Sequence, residues 1–405
     1  MGTDVGKQRT EAGQQVGELL TTAKRALGLS VAFLARMDGT TQTLEVVESS
    51  IPFVFREGVT QRQDTTFCQA IMDGKLPPVI PDVTAYPEAM KLPAARIPRI
   101  RSYVSVPVVL SDGSLYGTFC AAGLTSDRGL TKRDKSLMDV LARAASVVIE
   151  PEVREQARRR DIEGRLLPLM SEGGPQVVLQ PIVDLASGER VGAEALSRFP
   201  REWNLPPDVC FEQAHSIGQG DDLELLALER AAEHLRGVNG YVAMNVSPGT
   251  LLRPDTAALF ARLPLERVLL ELSEHDQVAD YDALKAALAP LRAAGMRLAI
   301  DDVGAGFSSL RHIVLTAPDV IKLDRSLIDG VTNDHVLATL VRSLVEFAHA
   351  SGARVVAEGI ENGTDAATLL GLSVDYGQGW HFGRPGPAED LPDRVPPAGN
   401  LLVPG

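Results

Sequence analysis

The chain carries only three cysteines in 405 residues, Cys68, Cys120 and Cys210, and no histidine before residue 200. Their odd number and the lack of C-x-x-C spacing exclude a disulfide framework and a C-x-x-C zinc or redox site, so buried free thiols are expected. No apolar stretch approaches the roughly 18 residues of a membrane span, and the N-terminal MGTDVGKQRTEAGQQVG lacks the apolar core of a signal peptide. A cytoplasmic protein is therefore expected. Positive charge is also short. Lys and Arg number 40 against 53 Asp and Glu, a net charge of -13, which disfavours adhesion to nucleic acid polymers or anionic lipid. A phosphate-bearing substrate would need metal ions or local basic residues.

With 44% hydrophobic residues the chain can bury two cores. In the first half Val16, Leu19, Leu20, Ala23 and Leu27 recur at helical spacing. Strands are expected over 31–37, 43–47, 78–80, 103–110 and 114–121, with Ser111-Asp112-Gly113 as a hairpin turn. That describes a small antiparallel sheet with flanking helices. Thr131 caps a helix running through Leu137, Leu141, Ala144 and Val148 to Glu150, where Pro151 interrupts or restarts it. Val153, Ala157, Ile162 and Leu166 continue at helical intervals in a charged segment that suits an exposed connector or a helix pairing with its twin. The expected boundaries are a first domain at 1–150, a helical connector at 151–167, a second domain at 168–390 and a Pro- and Gly-rich tail at 391–405.

In the second half six carboxylates, Glu194, Glu271, Asp301, Asp302, Asp324 and Glu358, each end a short apolar run such as VLLEL, RLAIDD, VIKLD or VVAEG. Strands alternating with helical stretches argue for a parallel sheet closed into a barrel, whose strand ends converge on one mouth. Acids gathered there repel one another unless cations neutralise them, which points to a metal site. Lys322 and Asp324 stand two apart on one strand, so they share a face and can pair or share a water. Arg198 offers a planar donor fork for a phosphate.

Eight motifs follow in order: QPIVDL (180–185), GAEALSR (192–198), MNVS (244–247), LELSE (270–274), DDVGAGFSSL (301–310), IKLDRSL (321–327), VVAEGIE (355–361) and DYGQGWHFGRP (375–385). Together they resemble the EAL family of cyclic di-GMP phosphodiesterases over about residues 165–387. The resemblance implies an α/β fold, a modified TIM (β/α)8 barrel. It further implies hydrolysis of one phosphodiester bond of cyclic di-GMP to linear pGpG, assisted by two Mg²⁺ or Mn²⁺ ions. Glu194, Asn245, Glu271, Asp301 and Asp302 would be the ligands, with Asp301 bridging; such hard oxygen donors suit these ions better than zinc. Asp302, Lys322 and Glu358 form the implied catalytic group. Lys322 would position the attacking water. Glu358 would hold that water or the second ion, and it is the better general base because a lysine needs a much lowered pKa to accept a proton. Gln180 and Gln378 would hydrogen-bond near the substrate, and Glu274 would position the loop after Asp302. Asp324 and Glu361 would support the site from behind, or serve as a helix cap and a surface ion-pair partner. That loop departs from the family pattern, since Val303, Ala305 and Phe307 stand where Phe, Thr and Tyr are usual and two hydroxyls are missing.

TFCQAI (66–71), LPPVIPDVTAYPEA (76–89), RSYVSVPV (101–108) and DGSLYGTFCAAG (112–123) resemble a GAF domain, which implies an α+β module sensing a small molecule or a protein. The missing histidines count against a His-ligated haem or a standard bilin pocket there. The whole reads as a sensor-regulated phosphodiesterase of second-messenger signalling, working as a homodimer. Two alternatives are a catalytically silent EAL module that binds cyclic di-GMP or a protein partner, and another barrel enzyme such as a Mg²⁺-dependent enolase-like lyase.

Overall fold

The computed structural model describes residues 9–51, 55–97, 99–273, 278–304 and 309–398, and the chain divides into two compact units, 1–158 and 159–405. Unit one begins with α1 (Glu11–Leu27), started by Thr10, whose hydroxyl accepts from the Gly13 amide, and stopped by Gly28 at φ 64°. Its strands are β1 (Val31–Met37), β2 (Thr41–Ser49), β3 (Thr60–Arg62), β4 (Val79–Ile80), β5 (Ser102–Val109) and β6 (Leu115–Gly123). They form an antiparallel sheet in the order β3-β2-β1-β6-β5-β4. Short helices α2 (Phe67–Met72), α3 (Pro87–Lys91) and α4 (Pro93–Arg96) lie between β3 and β5 in sequence. Because side chains alternate along a strand, Leu34, Val104, Phe119 and Ala121 pack with α1, while Phe33, Tyr103, Cys120 and Ala122 pack with α2, α3 and α4. Both faces are therefore covered, in the α+β arrangement expected.

A single helix, α5 (Lys132–Ser171), follows. Pro151 is expected to interrupt or restart it and does neither. The missing N–H deprives the Val147 carbonyl of its donor, and Val147 is 72% exposed, so water can replace it. Leu141 and Ala145 pack into the core of unit one, which leaves Val140 and Val147 as exposed apolar residues of that stretch. Further along, Ile162 and Leu166 are buried against Ala214, Ile217 and Leu223 of unit two.

Unit two is a closed barrel of β7 (Gln176–Asp184), β8 (Arg190–Arg198), β9 (Tyr241–Asn245), β10 (Val268–Ser273), β11 (Arg297–Val303), β12 (Val320–Leu323), β13 (Arg354–Ala357) and β14 (Tyr376–Gln378). Helices α6 (Pro207–Ser216), α7 (Gly220–Glu233), α8 (Pro248–Leu251), α9 (Pro254–Phe260), α10 (Tyr281–Ala293), α11 (Ser309–Thr316), α12 (Arg325–Ile328), α13 (His335–Ala350) and α14 (Gly363–Gly371) connect them. Neighbouring strands run parallel except β7, which is antiparallel to both β8 and β14. This inversion is what modifies the TIM barrel. Outward residues such as Val242, Met244, Leu270 and Ile300 pack under the helices. Inward ones, Ile182, Tyr241, Ala243, Leu269, Ala299, Val320 and Val356, form a separate apolar plug. Past the barrel, Val395 donates to the Gly188 carbonyl, Asp393 pairs with Arg190, and Ala398 is buried, so residues 391–398 pack on the β7–β8 hairpin. Among the described residues no helix is long and apolar enough to cross a membrane.

Candidate active site

Beyond the plug positions, strand alternation brings polar side chains inward, Gln180, Glu194, Asn245, Glu271, Asp301, Lys322 and Gln378, and Glu358 follows one residue past the end of β13. The register agrees, with Gln180 opposite Glu194, Asn245 opposite Glu271 and Gln378 opposite Ile182. Asp302 does not fit this rule, because consecutive strand residues face opposite ways. The β11–β12 register shifts between Ile300 and Val303, and Asp302 takes φ 58°, a left-handed conformation that L side chains seldom adopt. As a result Asp301 and Asp302 line the same cavity, of about 340 Å³, together with Gln180, Glu194, Glu358 and Gln378.

Ligand atoms of Glu194, Glu271 and Asp301 lie within 4.8 Å of one another, and so do those of Asp301, Asp302 and Glu358. Asp301 belongs to both groups. Lys322, fully buried, sends its Nζ to Glu358 Oε1 at 2.7 Å, Glu271 Oε1 at 3.0 Å, Asp301 Oδ1 at 3.1 Å and Glu194 Oε2 at 3.7 Å. Gln378 Nε2 donates to Glu194 Oε2 at 2.5 Å and Gln180 Oε1 at 3.1 Å, and Asn245 Nδ2 donates to Glu194 Oε1 at 3.2 Å.

Burial pushes the Glu358 carboxyl up to about 8, opposed by Lys322 and reinforced by Asp301 and Glu194. Glu271 is raised by burial and by the other acids, again against Lys322. For Lys322 burial works against the charge, but its four carboxylate neighbours outweigh it and hold the proton on. Among the described residues both Glu271 oxygens and Glu358 Oε1 lack an aligned hydrogen-bond donor, although Glu271 Oε1 and Glu358 Oε1 sit at ion-pair distance from the ammonium. Oxygen donors clustered this closely, with buried lone pairs left over, fit divalent cations such as Mg²⁺ or Mn²⁺.

The expected pairing of Lys322 with Asp324 does not form. The strand ends at Leu323, and Asp324 instead caps α12, its Oδ1 accepting from the Ser326 amide at 2.9 Å. Glu361 pairs with Arg325 at 2.8 Å on the rim of the 340 Å³ cavity. Arg198 lines a neighbouring cavity of about 440 Å³ with Asn245, Glu271, Pro207, Phe211 and Met244, and Leu196 borders both cavities. Glu274, Ala305 and Phe307 lie outside the described residues. Arg325 and Trp380 were not singled out by sequence, yet both line the site; Trp380 is 52% exposed, with the Arg384 guanidinium 4.2 Å from its ring centre. The DRSL and GQGW stretches are the available signals.

The EAL domain profile matches residues 163–385, more than half of the chain. The chain belongs to the EAL domain family. The GAF domain profile matches residues 14–150. Among curated relatives, an uncharacterized protein of Azorhizobium caulinodans is 32% identical over 241 residues, 54% of this chain and 33% of its own length. PdeB of Escherichia coli, described as a probable cyclic di-GMP phosphodiesterase, is 30% identical over 226 residues, 52% of this chain and 43% of its own. The chain thus spans less than half the length of either relative. Among solved structures, the PaMucR phosphodiesterase in complex with c-di-GMP is 27% identical with a TM-score of 0.50, covering 56% of this chain and 98% of that one. This EAL protein is therefore related to cyclic di-GMP phosphodiesterases.

Proposed function

We propose that this EAL protein hydrolyses one phosphodiester bond of cyclic di-GMP to linear pGpG under the control of its GAF domain. The observation that carries the reading is the pair of carboxylate groups sharing Asp301 beside a buried lysine. Glu194, Asn245, Glu271 and Asp301 would hold one Mg²⁺ or Mn²⁺ ion, and Asp301, Asp302 and Glu358 the other. When bound, the two ions neutralise phosphate charge and make a water a stronger nucleophile.

The chain's own residues do the rest. Lys322, kept charged by its carboxylate neighbours, donates from Nζ to the attacking water and orients it. Glu358 takes the proton of that water, since Lys322 has none to gain. The bond from phosphorus to the 3′ oxygen breaks, because pGpG keeps its 5′ phosphate, and the freed 3′ oxygen takes a proton from solvent to become a hydroxyl. Gln378 and Asn245 fix Glu194 through hydrogen bonds, and Gln180 accepts from the same Gln378 amide. Arg198 supplies a donor fork for a phosphate oxygen. The two cavities meeting at Leu196 suit a ligand with two bases flanking its phosphates.

A homodimer is supported by Val336, Leu340 and Phe347, which share one face of α13 and stay exposed, with Val314 of α11 exposed as well. The opposite face, Val341, Val345 and Ala348, is in the core. The deciding experiment incubates the protein with cyclic di-GMP and Mg²⁺ or Mn²⁺ and resolves the products by chromatography. Appearance of pGpG supports hydrolysis; tight binding of intact cyclic di-GMP with no product would make the domain a silent receptor.

A further inference from the structure

The GAF domain holds a second chemical cluster that hydrolysis leaves unused. Cys68, on α2, and Cys120, on the central strand β6, place their sulfurs 3.3 Å apart in the core. A disulfide bond measures about 2.05 Å, so the two sulfurs need approach by only about 1.3 Å to bond. Both thiols are free.

Their surroundings are polar, which a pair of inert core thiols does not require. Gln42 Nε2 donates to Cys68 Sγ at 3.2 Å, the Tyr103 hydroxyl lies 3.0 Å from the same sulfur, Ser105 Oγ lies 3.2 Å from Cys120 Sγ, and Cys120 donates to Thr118 Oγ1 at 3.3 Å. All four partners are at most 2% exposed, inside a cluster otherwise made of residues such as Phe33, Phe67 and Ile80. Among the described residues Gln42 Oε1 has no hydrogen-bond partner. Burying that amide has a cost that its bond to sulfur must help offset.

The ring of donors also separates the two thiols. Burial opposes ionisation of both, but hydrogen bonding of Cys68 with Cys120, Thr118, Tyr103 and Gln42 outweighs it and brings Cys68 down to about 6. Burial, together with charge on Cys68, pushes Cys120 up. One sulfur is thus prepared to attack and the other to resolve.

We propose that Cys68 and Cys120 form a reversible oxidation site, closed to a disulfide by a hydroperoxide. The Cys68 thiolate attacks one peroxide oxygen; the O–O bond breaks, leaving a sulfenic acid, and the departing oxygen takes a proton to become water or an alcohol. Cys120 sulfur then attacks the Cys68 sulfur; the S–S bond forms, the S–O bond breaks, and the leaving hydroxide takes the Cys120 proton as a second water. Two thiols lose two electrons and two protons, and the peroxide is reduced. Neither sulfur touches solvent, so oxidant enters when α2, a helix of six residues, opens locally. The product ties α2 to β6.

The test treats the folded, fully reduced chain with hydrogen peroxide, quenches with acid, unfolds it, alkylates the remaining thiols and measures intact and peptide masses. The expected product has lost two hydrogens, takes up label at Cys210 alone, yields a linked Cys68–Cys120 peptide and reverts with dithiothreitol. Three labelled cysteines after peroxide, or sulfinic acid at Cys68 with no linked peptide, would overturn the proposal. In Cys120→Ser the reaction should stop at a Cys68 sulfenic acid that dimedone traps; dimedone label on another cysteine instead would overturn the order of attack. The wild-type peptide map decides the site even if that variant folds poorly.

Discussion

Lys322 Nζ stands 2.7 Å from Glu358 Oε1, and the same ammonium is the common partner of Glu271, Asp301 and Glu194. One cation thus faces four carboxylates in a site nearly closed to water. Without added cations the lysine is the internal counter-charge of the cluster.

Lys322→Met keeps the bulk of the side chain and removes its charge. In chelator the variant should lose about 3–5 kcal/mol of stability, the usual penalty for stranding buried charges. Added Mg²⁺ or Mn²⁺ should restore most of it, while pGpG formation stays absent. Urea unfolding with and without the ions measures this; an unchanged midpoint in chelator would contradict the counter-charge role.

Glu271→Gln should act with the opposite sign. Glu271 is wholly buried among like charges, so neutralising it relieves repulsion and raises the melting temperature of the ion-free protein by a few degrees. The stabilisation by added Mn²⁺ should shrink at the same time. Calorimetric scans over a Mn²⁺ titration read both.

Glu194→Ala and Asp301→Ala should abolish turnover while leaving the circular dichroism spectrum intact. Asp302→Asn should reduce turnover at least about 100-fold with a smaller effect on cyclic di-GMP affinity, measured by product chromatography and titration calorimetry. Ca²⁺ in place of Mg²⁺ should inhibit, because its larger and looser coordination misplaces the water.

Strand identity and the inward layer were legible because apolar runs such as VLLEL and VVAEG end in their acids and alternation assigns the face. The inverted direction of β7 was not, since QVVLQPIVD reads as a buried strand whichever way it runs. For Asp324 alternation suggested a place beside Lys322, but alternation stops where the strand stops, and of the two expected roles the structure takes the helix cap. Asp302 reaches the site only through a bulge and a left-handed backbone, which no side-chain pattern encodes. Nor was the burial of Ile162 and Leu166 against Ala214 and Leu223 legible, because a long helix with one buried face looks, in sequence, much like one that pairs with a twin.

If α13 is the dimer face, Leu340→Glu or Phe347→Glu should convert the protein to a monomer by light scattering without changing the fold, as both side chains are exposed in one chain. A monomeric wild type would remove the basis for this reading.

Shortening the chain to begin at Arg159 should retain hydrolysis and lose whatever control the GAF domain imposes. Beginning instead at Arg165 removes Ile162 from its contact with Ala214 and Leu223, so that version should melt several degrees lower. Identical specific activity of the full and Arg159 chains under every ligand tried would leave the regulatory role without support.

The bond between Gln378 and Glu194 joins residues 184 apart in sequence, and β14, only three residues long, is the strand that joins β13 to β7. Such distant partners meet late on a folding path, after local helices and neighbouring strands have formed. Refolding from urea should therefore regain helical signal before it regains cation affinity, and affinity should return in one step. Half a ring has half the carboxylates and no site.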